Sequence, residues 1–272
     1  VYYLPTIASS KAAGYSNLKD AAIEARKITR VGKFCEHVAK LKETEEKLNA
    51  LVNQDYRTLH FLSVYPGTEN PDGKTNLNVG LTLKSLFVSG SETTPSGQVY
   101  MPNVPTEECF TTPDWTKTSG VVSMTRPVSI NGSTIEGIQM EFSNGKVVKV
   151  SAAKNVEVLR QWVEKNDNAD KLGEVALVAG SPIFDLGRVF KSILLDENAT
   201  CHFALGSSYS TCIEGADDFT DQDAKEKYMN SLNCNDSPVH VDFMIGGPNV
   251  MVFAEKADGS RKVLIKDNKF EI

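Results

Sequence analysis

Two Asn-Gly pairs, Asn131-Gly132 and Asn144-Gly145, each stand between runs in which polar and apolar residues alternate. A tight two-residue hairpin turn needs positive φ at both central residues, which Asn and Gly tolerate best. The spacing therefore predicts hairpins and an antiparallel sheet. Residues 121–130 and 134–142 are the strands around the first turn, and residues 146–150 follow the second. Residues 58–64 and 76–83 carry the same period-2 signature, with turns at Pro66-Gly67 and Asn70-Pro71-Asp72-Gly73. Residues 174–180 and 240–245 read as short buried strands. Residues 250–253, 262–265 and 269–272 close the chain, with Asp258-Gly259 as a hairpin turn.

Helical spacing is confined elsewhere. Leu18, Ala21, Ala22, Ala25 and Ile28 recur at helical intervals over residues 17–30. Phe34, Val38, Leu41, Leu48 and Leu51 do so over residues 33–54. Lys and Glu between them form a solvated face. Residues 152–172 and 218–231 are further helices, and residues 185–195 are ambiguous. The fold class is α+β, with N-terminal helices followed by a mixed, largely antiparallel β-rich domain.

Composition bounds the function classes. The chain has 272 residues, 40% hydrophobic and 24% charged, which fits a soluble globular protein. A formal net charge of -6 argues against nucleic acid as a partner. No apolar run approaches the ~20 residues of a membrane span, and the N-terminus lacks the pattern of a secretory signal. Because the chain begins at Val1, processing or a longer parent chain is expected. Five cysteines without CxxC spacing do not read as a disulfide framework, so a reduced, cytoplasmic setting is expected. The sequons at Asn131, Asn198 and Asn235 are then chance matches.

The chemistry concentrates late in the chain. His240 and Asp242 lie at i and i+2 on a strand, so both side chains point to one face. They can offer a nitrogen and an oxygen to one cation, or hydrogen-bond to each other. Glu197 and His202 need a turn between them to converge, and Asp196, Glu197 and Asn198 could equally cap a helix. Glu107 and Glu108 are adjacent carboxylates in a proline-rich loop. They repel unless a cation or proton relieves them, so one could bind metal and the other act as base. Glu174 opens an apolar strand, where an unpaired carboxylate is costly; its two oxygens could bridge two cations. Tyr209 could donate its hydroxyl to an oxyanion. Cys201 beside His202 raises a thiol-nucleophile alternative. His37 and His60 read as structural.

Four motifs occur in order: Asn-Val-Pro-Thr-Glu-Glu (103–108), Leu-Gly-Glu-Val-Ala-Leu-Val (172–178), Leu-Asp-Glu-Asn-Ala-Thr-Cys-His-Phe-Ala-Leu-Gly (195–206) and Val-His-Val-Asp-Phe-Met-Ile-Gly (239–246). Together they resemble the thermophilic metal-dependent aminopeptidases, the aminopeptidase T and aminopeptidase S group, from about Phe34 to the C-terminus. Residues 1–33 match poorly, and most of the family's N-terminal α/β domain is absent. The resemblance makes residues 56–272 a metallopeptidase catalytic domain and residues 1–55 a remnant of, or link to, an N-terminal domain.

That resemblance implies a two-metal exopeptidase acting on peptides with a free N-terminus. Zinc or cobalt is the expected pair, with magnesium or manganese as other divalent choices. Glu108, Glu174, Glu197, His202, His240 and Asp242 resemble the metal-binding positions, with Glu174 as the bridge. Glu107 is left as candidate general base and Tyr209 resembles an active-site tyrosine. The family implies a homodimer. The rival from another class is a catalytically impaired, metal-binding scaffold protein derived from the same family.

Overall fold

The structure, a computed structural model, describes residues 11, 14–94 and 96–272. Two helices lead. Asn17 caps α1 (Leu18–Ile28) by accepting a hydrogen bond from the Asp20 amide, and α2 (Phe34–Val52) follows. Their apolar stripes are buried at Ala21, Ala25 and Ile28, and at Val38, Leu41, Leu48 and Leu51.

Strands β1 (Thr58–Val64) and β2 (Pro71–Leu81) form the first antiparallel pair. Pro71 belongs to β2, opposite Val64, so the turn expected over residues 70–73 is already strand. Short strands β3 (Val88–Ser89), β4 (Glu92–Thr93) and β5 (Val99–Tyr100) precede β6 (Glu108–Thr111) and β7 (Pro113–Ser123). The expected strand at 121–130 divides into the end of β7 and β8 (Val128–Ile130), with Pro127 between. A proline lacks the amide that a continuous ladder requires. The next also divides, into β9 (Ser133–Ile135) and β10 (Gln139–Ser143) around Gly137, whose φ is 65°. Both Asn-Gly turns are where the sequence places them. Asn131 and Gly132 have φ of 50° and 77° between β8 and β9. Asn144 and Gly145 have φ of 50° and 81° between β10 and β11 (Lys146–Ser151).

The helix expected at 152–172 is shorter, α3 (Val156–Lys165), because Leu172 already begins β12 (Leu172–Val178). The ambiguous stretch ends in a short helix, α4 (Ile193–Glu197), followed by β13 (His202–Gly206). Helix α5 (Gln222–Ser231) starts at its Asp221 cap, and β14 (His240–Met244), β15 (Val250–Glu255), β16 (Arg261–Lys266) and β17 (Lys269–Phe270) complete the chain.

The strands form an eight-stranded sheet, ordered β11-β10-β7-β2-β1-β15-β16-β17, and a five-stranded sheet, ordered β14-β13-β12-β6-β3. All pairings among the described strands are antiparallel. The sheets share one apolar core that includes Phe61, Leu77, Val122, Phe142, Val175, Leu177, Phe203, Leu205 and Phe243. Phe203 is its hinge, edge-on to Phe142 at 5.7 Å and stacked on Phe243 at 5.7 Å. Helix α2 is tied beside β3 by Asn49, whose side chain accepts from the Phe87 amide (2.8 Å) and donates to the Phe87 carbonyl (2.9 Å). No described helix is long and apolar enough to cross a membrane.

Phe203→Ala is expected to cost about 3–5 kcal/mol of unfolding free energy, the usual loss for a buried phenylalanine. Denaturant unfolding of the metal-free protein measures it.

Candidate metal centre

The register of the five-stranded sheet decides which side chains meet. Glu174 on β12 lies opposite Ala204 on β13, which lies opposite Asp242 on β14. One pleat along, Ala176 is opposite His202, and Phe110 on β6 is opposite Ala176. Directly paired residues share a face, as do residues two apart. Glu108, Glu174, His202, His240 and Asp242 therefore project together, with small Ala176 and Ala204 leaving room between them. The alternate residues Cys109, Val175, Leu177, Phe203, Leu205 and Phe243 go to the apolar core. Gly206 lets β13 meet β14 closely: its φ is 112°, and a Cβ there would lie 1.9 Å from the Val239 carbonyl oxygen.

Helix α4 brings Glu197 to the same cavity, which Tyr209 also lines. His202 Nε2 is 3.2 Å from Glu108 Oε2 and 3.9 Å from Glu174 Oε1. His240 Nε2 is 3.1 Å from Glu174 Oε2 and 3.4 Å from Asp242 Oδ1. The two oxygens of Glu174 thus face two different imidazoles. Two donor groups result, Glu108/Glu174/His202 and Glu174/His240/Asp242, with the ligand atoms of each within 4.8 Å of one another.

Both imidazoles are oriented from behind. His202 Nδ1 lies 3.2 Å from the Thr200 carbonyl oxygen and His240 Nδ1 lies 2.8 Å from that of Ser207. A carbonyl only accepts, so each Nδ1 carries the proton and each neutral ring presents the Nε2 lone pair to the cavity. There it meets carboxylate oxygens, which are acceptors too. Something positive must sit between them, either a proton or a cation.

In the metal-free protein protons take that place. Burial would lower both histidines, but the surrounding carboxylates, led by Glu108 for His202 and Asp242 for His240, raise them to about 10 and about 11. Burial, then the charges of Glu108 and Asp242, raises Glu197 to about 9. Burial also raises Glu174. Burial opposes ionisation of Asp242 as well, yet hydrogen bonding from His240 and the charge of His202 keep it low. Four carboxylates against two imidazoles, sequestered from water, form a donor set that divalent cations fit.

Tyr209 packs its ring 5.0 Å from His240 and 5.8 Å from Phe110. Burial and the nearby carboxylates raise its hydroxyl pKa, so it stays a donor. Glu107 is placed apart from this cluster. Its carboxylate, 2% exposed as a residue, accepts two 2.7 Å hydrogen bonds from Arg30, and its amide donates to Asn198 Oδ1 at 2.7 Å. Burial raises it to about 7 against the pull of Arg30. Cys201 points to Val178, donating to its carbonyl at 3.3 Å, and burial pushes the thiol up to about 12. It is not a thiolate nucleophile.

The sequence reading missed Arg30 as a partner of Glu107, because the two are 77 positions apart and no local pattern links them. It missed Phe110 and the segment from Val88 in β3 to Glu92 in β4 as cavity walls. Phe110 was accessible in principle, since it follows Glu108 by two on one strand. Asp196, beside Glu197, instead accepts from the Phe190 amide (2.9 Å) and Ser192 amide (3.2 Å) and closes the loop before α4. His60 bridges Glu255 (2.9 Å) and Asn76 (2.8 Å), and His37 meets the Thr106 carbonyl at 2.8 Å, in keeping with structural roles.

Comparison with known proteins is consistent with this geometry. A family profile described as thermophilic metalloprotease (M29) matches residues 4–270, so the likeness extends further toward the N-terminus than the quoted motifs. Aminopeptidase PepS of Streptococcus thermophilus is 36% identical over 236 residues, covering 85% of this chain and 54% of the relative. Aminopeptidase T of Thermus aquaticus is 37% identical over 227 residues, covering 83% and 52%. The solved structure of wild-type AmpT from Thermus thermophilus superposes with a TM-score of 0.82 at 33% identity, covering 94% of this chain and 59% of that one. The chain spans about half the length of the curated relatives it matches.

The raised carboxylic acids Glu174 and Glu197 and the raised histidines act on stability in the same direction. Each holds a proton in the folded state that the unfolded chain releases earlier, so their contribution to stability is fully present at low pH and is lost as pH rises, whereas Asp242, held low, contributes in the opposite sense. For Glu197 the loss runs from its ordinary 4.5 to about 9. Thermal melting of chelator-treated protein is expected to show this decline, and Glu197→Gln is expected to flatten it.

Proposed function

Because this chain belongs to the thermophilic metalloprotease (M29) family, we propose that it is an aminopeptidase that removes N-terminal amino acids from peptides with the help of two divalent cations. The observation that carries this reading is Glu174, whose two oxygens face His202 and His240 separately. Glu108 and His202 would hold one cation, His240 and Asp242 the other, with Glu174 between them and Glu197 as a further terminal ligand. Zinc or cobalt suits this mixture of imidazole and carboxylate, and magnesium or manganese is the harder alternative. When bound, such cations acidify water and polarise a carbonyl.

The chain's own residues supply the rest. The carbonyl contacts at the two Nδ1 atoms hold the Nε2 lone pairs in place. Tyr209, which lines the cavity and is still protonated, would donate to the oxygen of the scissile carbonyl as negative charge develops there. The carboxylate-rich cavity favours the positively charged α-amino group of a substrate over an internal peptide segment. Glu107 is proposed as proton acceptor because it stands next to Glu108 in sequence and the family resemblance leaves it as candidate general base. In that role it must release Arg30 and turn toward the cavity.

A homodimer and a cytoplasmic setting belong to the same proposal. The first rests on the family resemblance. The second is supported by Cys109, Cys201, Cys212 and Cys234, which are buried as free thiols.

Hydrolysis of an aminoacyl chromophore by zinc- or cobalt-loaded protein tests the reading. Chelation is expected to abolish it and metal to restore it. If Glu107 is the base, Glu107→Gln lowers kcat about 10²–10⁴-fold with metal content unchanged. If Glu107 serves only as Arg30's partner, melting temperature falls and kcat does not. Tight metal binding with no turnover on any aminoacyl substrate would favour the scaffold reading instead.

A further inference from the structure

A second cavity, of about 230 Å³, lies beside the metal centre. Asp242 lines both. Val241 also lines the second one, although successive strand residues point to opposite faces. The cavity therefore sits beyond the edge of β14, not over either face. This edge is the outer one of the five-stranded sheet.

The ladder shows which backbone groups face it. The Ser207 amide donates to the Val239 carbonyl at 2.7 Å, and the Ile245 amide donates to the Cys201 carbonyl at 2.8 Å. Odd-numbered residues thus turn their backbone toward β13. By antiparallel alternation, His240, Asp242 and Met244 turn theirs outward. The Thr125 amide occupies the Met244 carbonyl at 2.9 Å. Among the described residues no strand pairs with the remainder of this edge.

The walls are apolar at Val128, Val241 and Met244, and charge gathers at the rim. Lys154 is paired with Glu136 at 3.1 Å. Asp196 is turned to the amides of Phe190 and Ser192. Lys191 is exposed, and among the described residues no carboxylate forms an ion pair with it. It is held there by a left-handed backbone, φ 56°.

We propose that this cavity receives the part of a short peptide that lies beyond the scissile bond, its main chain along the free edge of β14 and its terminal carboxylate at Lys191. The assignment rests on the exopeptidase reading of the adjoining centre. Three features select this occupant. The cavity adjoins that centre, with Asp242 in the wall of both. An extended main chain is what a free strand edge pairs with, independent of side-chain identity. A free carboxylate matches Lys191, among the described residues the cavity-lining cation without an ion-pair partner. The substrate class is then di- and tripeptides with unblocked C-termini.

Isothermal titration of the zinc-loaded full chain tests this, using Leu-Ala-Ala with its first peptide bond reduced so that binding is read without turnover. The free acid is expected to bind about tenfold more tightly than its C-terminal amide, as for loss of one charge-assisted hydrogen bond. Lys191→Glu and the milder Lys191→Gln are both expected to remove that difference. Equal affinities for acid and amide in the wild type, or an unchanged ratio in both variants, would overturn the proposal. Crystals of the complex should show the analogue's main chain within hydrogen-bond reach of the Asp242 backbone, and an analogue seated elsewhere would also overturn it. Leucine p-nitroanilide carries no amino acid beyond the scissile bond and reports on the metal centre alone. No turnover of it or of any other aminoacyl substrate, with the acid–amide difference intact, would sink the exopeptidase reading and leave only the binding of a free C-terminal carboxylate at Lys191.

Discussion

The pairing of β12, β13 and β14 holds the candidate ligands on one face and the core on the other, and both depend on a single register. Glu174, Ala204 and Asp242 form one row across the sheet. A one-residue slip of β14 against β13 would send His240 and Asp242 into the space of Val241 and Phe243. It would bury two polar groups among Phe142, Phe203 and Leu205 and expose a phenylalanine to the cavity. The stacked pair Phe203 and Phe243 therefore positions the imidazoles and carboxylates from behind as firmly as it fills the core. Stability and site geometry are the same constraint viewed from opposite faces of the sheet.

That constraint forces an electrostatic cost. Four carboxylates and two imidazoles are packed where water is largely excluded. In the metal-free protein Glu197 and the two histidines hold protons beyond their usual range, while Asp242 stays ionised. The protons stand where cations would stand. Because both Nδ1 atoms face backbone carbonyls, loss of those protons leaves two lone pairs and several carboxylate oxygens converging on the same space. The fold is thus arranged for ligation before any ligand arrives.

Much of this was legible in the sequence, for identifiable reasons. Period-2 alternation and Asn-Gly turns gave the hairpins, since both are local. The His-x-Asp spacing placed His240 and Asp242 on one face without knowledge of the fold. Glu174, His202 and Glu108 were harder, because only the cross-strand register brings β6, β12 and β13 together; ordered motifs stood in for that information. The pairing of Glu107 with Arg30 joins the turn after α1 to a distant loop, and neither residue announces it. The breaks at Pro127 and Gly137 were visible as residues, but the alternation around them outweighed the interruption. The edge cavity at β14 could not be read at all, since it is made by what does not pair there.

The central claim is that one carboxylate, Glu174, joins two cation sites. Anomalous diffraction from crystals loaded with zinc or cobalt tests it most directly. Two peaks are expected, one beside Glu108 and His202 and one beside His240 and Asp242, with Glu174 touching both. A single peak, or density away from Glu174, would contradict the account.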